Sequence, residues 1–63
     1  MLSDRELWTA ANMVLKQHGD GAPVFVAERI GALALAGDAN GVSAWKAIAA
    51  RLHKLTGGTA ITH

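Results

Sequence analysis

Hydrophobic residues recur every three to four positions in three stretches of this chain, and that spacing predicts three α-helices. We expect the helices at about residues 4–18, 21–36 and 39–55. The middle stretch is the most apolar, because Glu28 and Arg29 are the only charges between Val24 and Leu35. A helix this apolar has to be covered on more than one side. The pattern therefore predicts an all-α fold organised around the second helix.

Local signals mark the ends of the first two helices. Ser3 and Glu6 have the spacing of a capping box, in which each side chain accepts a hydrogen bond from the other residue's backbone amide. Gly19 supplies a left-handed residue that ends the first helix. Asp20 is expected to cap the second helix, and Pro23 fits within its first turn.

The connection between the second and third helices is short. Gly37 ends one helix and Asp38 caps the next, with Asn40 as the rival cap, so the third helix begins between Ala39 and Gly41. Short connections make the helices of a three-helix bundle run up, down and up. The first and third helices are therefore expected to be roughly parallel.

The up-down-up topology predicts which aromatic residues lie at the same end of the bundle. Trp8 and Trp45 each lie one to two turns inside the start of a helix, so parallel helices bring them together at one end of the bundle. Phe25 is expected at the opposite end. Its expected neighbours there are Leu15, His18, Leu52 and Leu55.

Length and charge narrow the class of protein. The 63 residues make one domain, assigned to residues 1–55, and the tail at 56–63 is expected to be loosely ordered or bound by a neighbouring molecule. A net charge of +1 predicts no strong attraction to nucleic acid or to an anionic membrane. The chain has neither a signal-peptide pattern nor an apolar run near the ~18 residues that span a bilayer, so we expect a cytoplasmic protein.

A small core predicts self-association. A chain of this length buries only about 60% of its unfolded surface, and without cysteine it has no disulfide to stabilise the fold. Because 51% of the residues are hydrophobic, we expect a homo-oligomer, most simply a dimer, or binding to another protein.

Gly31 is either a tolerated glycine or the point where a neighbouring helix crosses. The candidate interface residues are Val24, Ala27, Glu28, Gly31, Leu35 and Trp8.

Few polar residues have the spacing of a catalytic or metal site. The histidines His18, His53 and His63 are not paired four residues apart, so neither a metal ion nor a cofactor is expected. His18 is explained by the negative end of the first helix dipole and not by catalysis. Glu28 and Arg29 have no opposite charge one turn away. They are either solvated or pair with a group, a ligand or a second subunit, outside their own helix.

Short motifs resemble a group of small proteobacterial proteins of unknown function. These motifs are ELW at 6–8, QHGD at 17–20, AERI at 27–30, GD at 37–38, and Trp45 followed by Ile48 and Leu52. The resemblance covers residues 6–55. It implies a small helical protein and transfers no activity, cofactor or catalytic residue.

These observations favour a non-catalytic module for protein interaction or self-assembly. One alternative is a small DNA-binding regulator that reads DNA with its third helix, and another is a small enzyme with a site at a subunit boundary. The DNA-binding alternative fits poorly, because the turn at residues 37–38 is too tight for a helix-turn-helix crossing. Its basic residues Lys46, Arg51 and Lys54 also have no companion basic patch.

Overall fold

A computed structural model describes residues 2–56 of the chain. These residues form α1 (Asp4–His18), α2 (Ala22–Leu35) and α3 (Ala39–Leu55), with no strand within residues 2–56. The all-α fold class is confirmed, and each helix boundary agrees with its prediction to within one residue. The predictions for residues 57–63 of the tail lie outside the described residues.

The connection between α1 and α2 is itself helical. A 3₁₀ turn at Gly19–Gly21 joins the two helices directly, so residues 4–35 form one helical run that changes direction at Gly19, where φ is +53°. Residues 2–56 thus contain two helical stretches. The first comprises α1, the 3₁₀ turn and α2, and the second is α3. The predicted Asp20 cap is wrong, because Asp20 lies inside this helical turn and cannot adopt the extended backbone of a capping residue. Gly21 precedes α2 without a side-chain cap.

The other predicted caps are present. The Ser3 amide donates to Glu6 Oε1 at 2.8 Å, and the Glu6 amide donates to Ser3 Oγ at 3.2 Å, which completes the capping box. Pro23 lies in the first turn of α2, as predicted. At α3 the cap is Asp38 and not the rival Asn40, since Asp38 Oδ1 accepts from the Gly41 amide at 2.9 Å.

The turn between α2 and α3 is held by backbone hydrogen bonds. The Gly37 amide donates to the Ala34 carbonyl at 3.1 Å, and the Asp38 amide donates to the Leu33 carbonyl at 3.0 Å. This pair of bonds is a Schellman motif, and it requires the left-handed backbone of Gly37, where φ is +76°. The motif reverses the chain in three residues, which sets α3 back against α2.

The start of α1 lies beside the first half and the middle of α3. Arg51 forms an ion pair with Asp4, the first residue of α1, and its guanidinium also donates to the Ala47 carbonyl one turn back along α3. Leu2 and Leu7 share a groove with Asn40, Ser43, Ala44 and Ala47. The roughly parallel direction of α1 and α3 stays a prediction. Hydrophobic periodicity predicts the buried face of a helix but not the angle at which that face meets its neighbour.

The aromatic side chains meet in a different arrangement from the expected one. Phe25 meets Trp45 edge to face at 5.9 Å, so the prediction that they occupy opposite ends of the bundle is wrong. The expected proximity of Phe25 to His18 is confirmed, because the two rings stack at 4.0 Å and 16°. Trp8 is near Arg51, whose guanidinium carbon is 6.0 Å from its ring centroid. Trp45 thus contacts Phe25 and not, as expected, Trp8.

The core is small and unevenly shared among the helices. Its buried side chains are Leu7, Ala11 and Val14 from α1, Ala22 and Val26 from α2, and Ile48 and Leu52 from α3. Both contributions from α2 lie in the first two turns of the helix. From Ala27 to Leu35, the most apolar helix of the chain therefore has no fully buried side chain.

Candidate interaction surface

The side of α2 that faces away from the core is apolar and exposed. At 100° per residue, the positions about 80° to 200° around the helix from Val26 form one continuous stripe. We call this stripe the outer face of α2, and its residues are Val24, Ala27, Glu28, Gly31, Ala34 and Leu35. All six are exposed. Leu35 is 93% exposed and Val24 is 60% exposed, so the other described residues leave two large apolar side chains on one face largely uncovered.

Gly31 lies at the centre of the outer face. A Cβ atom added to Gly31 would meet no atom within 4 Å. No other helix among residues 2–56 therefore crosses α2 at this point. The predicted crossing with Ala27 and Leu35 is absent from the part of the chain that the structure describes, and it stays a prediction for a partner.

Glu28 and Arg29 are adjacent in sequence but point in different directions. The Arg29 guanidinium carbon is 5.8 Å from the centroid of the Trp45 ring, within the range of a cation–π contact. Arg29 is thus directed toward α3 and away from the outer face. Within residues 2–56 Glu28 has no ion-pair partner, since the one salt bridge there joins Arg51 to Asp4. Glu28 is therefore the only charge on the outer face.

A groove of about 310 Å³ runs between α2 and α3 beside the outer face. We call it the α2–α3 groove. Its walls are mainly apolar, with Pro23, Ala27 and Ile30 from α2, Ala49 and Leu52 from α3, and His53 and Thr56 near one end. Ala27 belongs to both the groove and the outer face. The two features therefore form one continuous surface.

A second groove, of about 500 Å³, lies between α1 and α3. It is lined by Leu2, Leu7, Asn40, Ser43, Ala44 and Ala47, none of which is charged. His18, Glu28 and Arg29 line neither groove. The cleft around these three residues that the enzyme alternative requires is therefore not one of the two grooves in the described part of the chain.

Arg51 on α3 contacts both Asp4 and Trp8 of α1. Arg51 pairs with Asp4, and this hydrogen bond holds the pKa of the Asp4 carboxyl below its ordinary value. One of the three basic residues of the DNA-binding alternative is thus already paired within the chain. Trp8 is half-buried where α1 meets α3, apart from the five candidate residues on α2. Its role in an interface stays a prediction.

Two further properties concern ions and membranes. Among residues 2–56 no three histidine, aspartate or glutamate side chains gather closely enough to bind a metal ion. His63, one of the three histidines considered, lies outside the described residues. No helix in the same part of the chain is long and apolar enough to cross a membrane.

Sequence reasoning missed two parts of this surface. Ala34 is exposed on the outer face and is not among the candidate interface residues predicted from the sequence. The spacing of Val24, Ala27, Gly31 and Ala34 was a detectable signal, because steps of three, four and three mark one side of a helix. The α2–α3 groove had no such signal, since its two walls come from separate helices.

Together these features define a small all-α protein with an exposed apolar helix face beside an apolar groove. The chain belongs to DUF6961, a family of unknown function, whose sequence profile matches residues 3–59. No curated protein and no solved structure matches the chain. The resemblance to an uncharacterised family is confirmed, and membership in that family supplies no activity. The proteobacterial origin stays a prediction.

Proposed function

We propose that this protein is a non-catalytic self-assembly module in which the outer face of α2 binds a second copy of the chain. The observation that carries the proposal is the exposure of Leu35 and Val24 on one face, at 93% and 60%. Contiguous apolar surface rimmed by polar residues is typical of a protein interaction site. An interaction that covers this face removes both side chains from water.

The small core favours a second copy as the occupant. Seven side chains are buried among residues 2–56, and α2 supplies Ala22 and Val26 of these seven. Short domains with cores of this size commonly gain their remaining stability by oligomerisation. Covering the outer face adds burial to the helix that has the most uncovered apolar surface.

The charge of the face also favours a second copy. Glu28 is its only charged residue, so the face has no charge pattern that selects an acidic or basic partner. Two-fold symmetry lets one apolar patch meet an identical patch, and it is the commonest arrangement of soluble oligomers. The absence of cysteine fits a reducing compartment, and we include a cytoplasmic location in the proposal.

Light scattering across a dilution series tests the proposal. We expect a mass of twice 6.6 kDa at high concentration, falling toward 6.6 kDa on dilution, and a melting temperature that rises with concentration. The substitution Leu35→Glu should abolish the dimer. Met13→Glu on α1 is the matched control, because Met13 is 55% exposed but lies outside the outer face. A mass of 6.6 kDa at every concentration, with a constant melting temperature, overturns the proposal.

The DNA-binding alternative is tested in parallel by titrating duplex DNA at low and physiological salt. We expect no binding, since Arg51 is paired with Asp4 and the chain has almost no net charge. Duplex binding that weakens steeply with salt would favour the alternative and count against self-assembly as the main function.

A further inference from the structure

We infer that the two copies pair in parallel through α2, so that Glu28 and Leu35 of each copy pack onto the α2–α3 groove of the other. The inference rests on the proposed self-assembly and adds the direction of the pair and the position of each flanking residue. The observation that supports this inference is the distribution of exposed residues on the two sides of the outer face.

The centre of the outer face has the spacing of a coiled-coil seam. Val24, Ala27, Gly31 and Ala34 follow one another at intervals of three, four and three residues, as the a and d positions of a heptad do. All four are exposed, and three of them are small. Small residues at a helix crossing let the two backbones approach closely. The open space at Gly31 is thus filled by the α2 helix of the second copy.

The two flanks of this seam differ in chemistry. Glu28 and Leu35 occupy the e positions on one flank, and both are exposed. Pro23 and Ile30 occupy the g positions on the other flank, and both line the α2–α3 groove. One flank therefore projects a carboxylate and a leucine, and the other is an apolar groove that has His53 near Pro23.

These flanks are complementary only when the helices are parallel. In a parallel pair, each g position meets the e position five residues further along the other helix. Ile30 then meets Leu35 of the second copy, which covers the apolar part of the groove. Pro23 meets Glu28 of the second copy, whose carboxylate accepts a hydrogen bond from His53 at that end of the groove.

An antiparallel pair lacks this match. There each e flank meets the other e flank, so Glu28 faces Leu35 of the second copy. A carboxylate held against a leucine loses water without gaining a partner. The two grooves would also face each other with nothing to fill them. The parallel arrangement gives both exposed flank residues a suitable neighbour.

The groove is also needed for sufficient contact area. The 14 residues of α2 span only about 21 Å, and one helix face of that length falls short of the ~800 Å² per partner in a standard interface. Adding the groove extends the contact onto α3. The described residues expose 4326 Å², so a standard interface takes about a fifth of their surface. We therefore expect the contact to include residues of α3 as well as α2.

Disulfide cross-linking tests the direction of the pair, because the natural chain has no cysteine. In a parallel pair the a positions of both copies are adjacent, so Val24→Cys and Gly31→Cys should each cross-link to the same variant in the second copy. Ala50→Cys, at an exposed position on α3, is the control and should form no cross-link under the same oxidation. Cross-linking only in a mixture of Val24→Cys with Ala34→Cys shows an antiparallel pair and overturns this inference.

Charge exchange tests the contact between Glu28 and His53. Glu28→Lys should weaken dimerisation about two- to fivefold, as expected for a partly exposed charge pair. The double variant Glu28→Lys with His53→Glu should restore it. Asp20→Lys makes the same charge change outside the outer face and should leave the dissociation constant unchanged. Failure of the double variant to recover overturns the contact.

The outcomes separate this inference from the proposed function. If light scattering shows a dimer that Leu35→Glu abolishes, but neither Val24→Cys nor Gly31→Cys cross-links to itself, self-assembly stands and the parallel arrangement is wrong. If the wild-type chain is monomeric at every concentration, both proposals fail.

Discussion

The substitution Gly41→Ala tests how closely the cap of α3 is packed. A Cβ atom at Gly41 would lie 2.6 Å from Asp38 Oδ2 and 2.9 Å from Asp38 Cγ. Both distances are too short, so the methyl group displaces the carboxylate that accepts from the Gly41 amide at 2.9 Å. The nearest atom of Leu33 would be 3.1 Å away and is the end of a flexible side chain, which can move.

The magnitude follows from two opposing effects. Losing a capping aspartate costs about 1 kcal/mol, whereas alanine is better than glycine within a helix by up to about 1 kcal/mol. Gly41→Ala should therefore change the stability of the natural chain by about 0 to 1 kcal/mol in the destabilising direction. When Asp38→Ala has already removed the carboxylate, the same change should stabilise by up to about 1 kcal/mol. The coupling between the two positions is then about 1 kcal/mol.

Thermal and urea unfolding of the four proteins in this cycle, followed by far-ultraviolet circular dichroism in dilute solution, measures the coupling. For a domain of this size 1 kcal/mol corresponds to roughly 4–8 °C in melting temperature. Gly31→Ala is the matched control, since its added methyl group meets no atom. If Gly41→Ala stabilises the natural chain as much as Gly31→Ala does, the carboxylate of Asp38 is not held over Gly41 and the reasoning is refuted.

Three further expectations use the same unfolding assays. Val26→Ala should destabilise by about 2 kcal/mol, because Val26 is 2% exposed, whereas Val24→Ala should change the stability of dilute monomer by less than about 0.5 kcal/mol; equal losses would refute the assigned core. Gly31→Ala should stabilise the dilute monomer by up to about 1 kcal/mol yet raise the dissociation constant of the dimer; tighter dimerisation would contradict close helix contact. The Arg51 hydrogen bond lowers the pKa of Asp4 below 3.8, and the Ser3 amide lowers the pKa of Glu6 below 4.5. A carboxyl whose pKa is lower in the folded chain than in the unfolded chain adds stability above its unfolded pKa, and this stability is lost as pH falls through the folded pKa. Stability should therefore decline below about pH 4.5, and the decline should be less steep in Glu6→Gln.

Local features of the fold were predictable from the sequence. The capping box at Ser3 and Glu6, the end of α2 at Gly37 and the cap at Asp38 each depend on residues within a few positions of one another. Such signals define helix ends wherever the helix packs. The Asp20 prediction failed for a related reason, because a helical turn continued through the position where an extended residue was expected.

The contact between the start of α1 and α3 could not be predicted in this way. It is marked by the ion pair between Asp4 and Arg51, which are 47 residues apart in the chain. Each residue separately resembles an ordinary charge near a helix end. Only the packed structure shows that Arg51 is half-buried between Asp4 and Trp8, because the contact depends on the angle at which two helices meet.

The candidate surface was predictable in part. Five of its residues, from Val24 to Leu35, followed from the excess of apolar positions on α2, and all five are exposed in the structure. Gly31 was open to two interpretations, and the structure excludes a crossing helix from residues 2–56. The role of Ile30 and His53 depends on a groove between two helices, which no periodicity in one helix reveals.

The distribution of buried residues explains why the apolar pattern of α2 is still informative. A helix in a three-helix bundle meets its neighbours on one side, so one apolar stripe is enough. Residues Ala22 and Val26 supply that stripe, while Val24 and Leu35 lie on a second one that the bundle does not use. The hydrophobic periodicity of a helix therefore predicts how many of its sides make apolar contacts, but it does not predict which molecule makes those contacts. For α2 we assign the second side to another copy of the chain, and a dimer broken by Leu35→Glu but not by Met13→Glu is the direct test of that assignment.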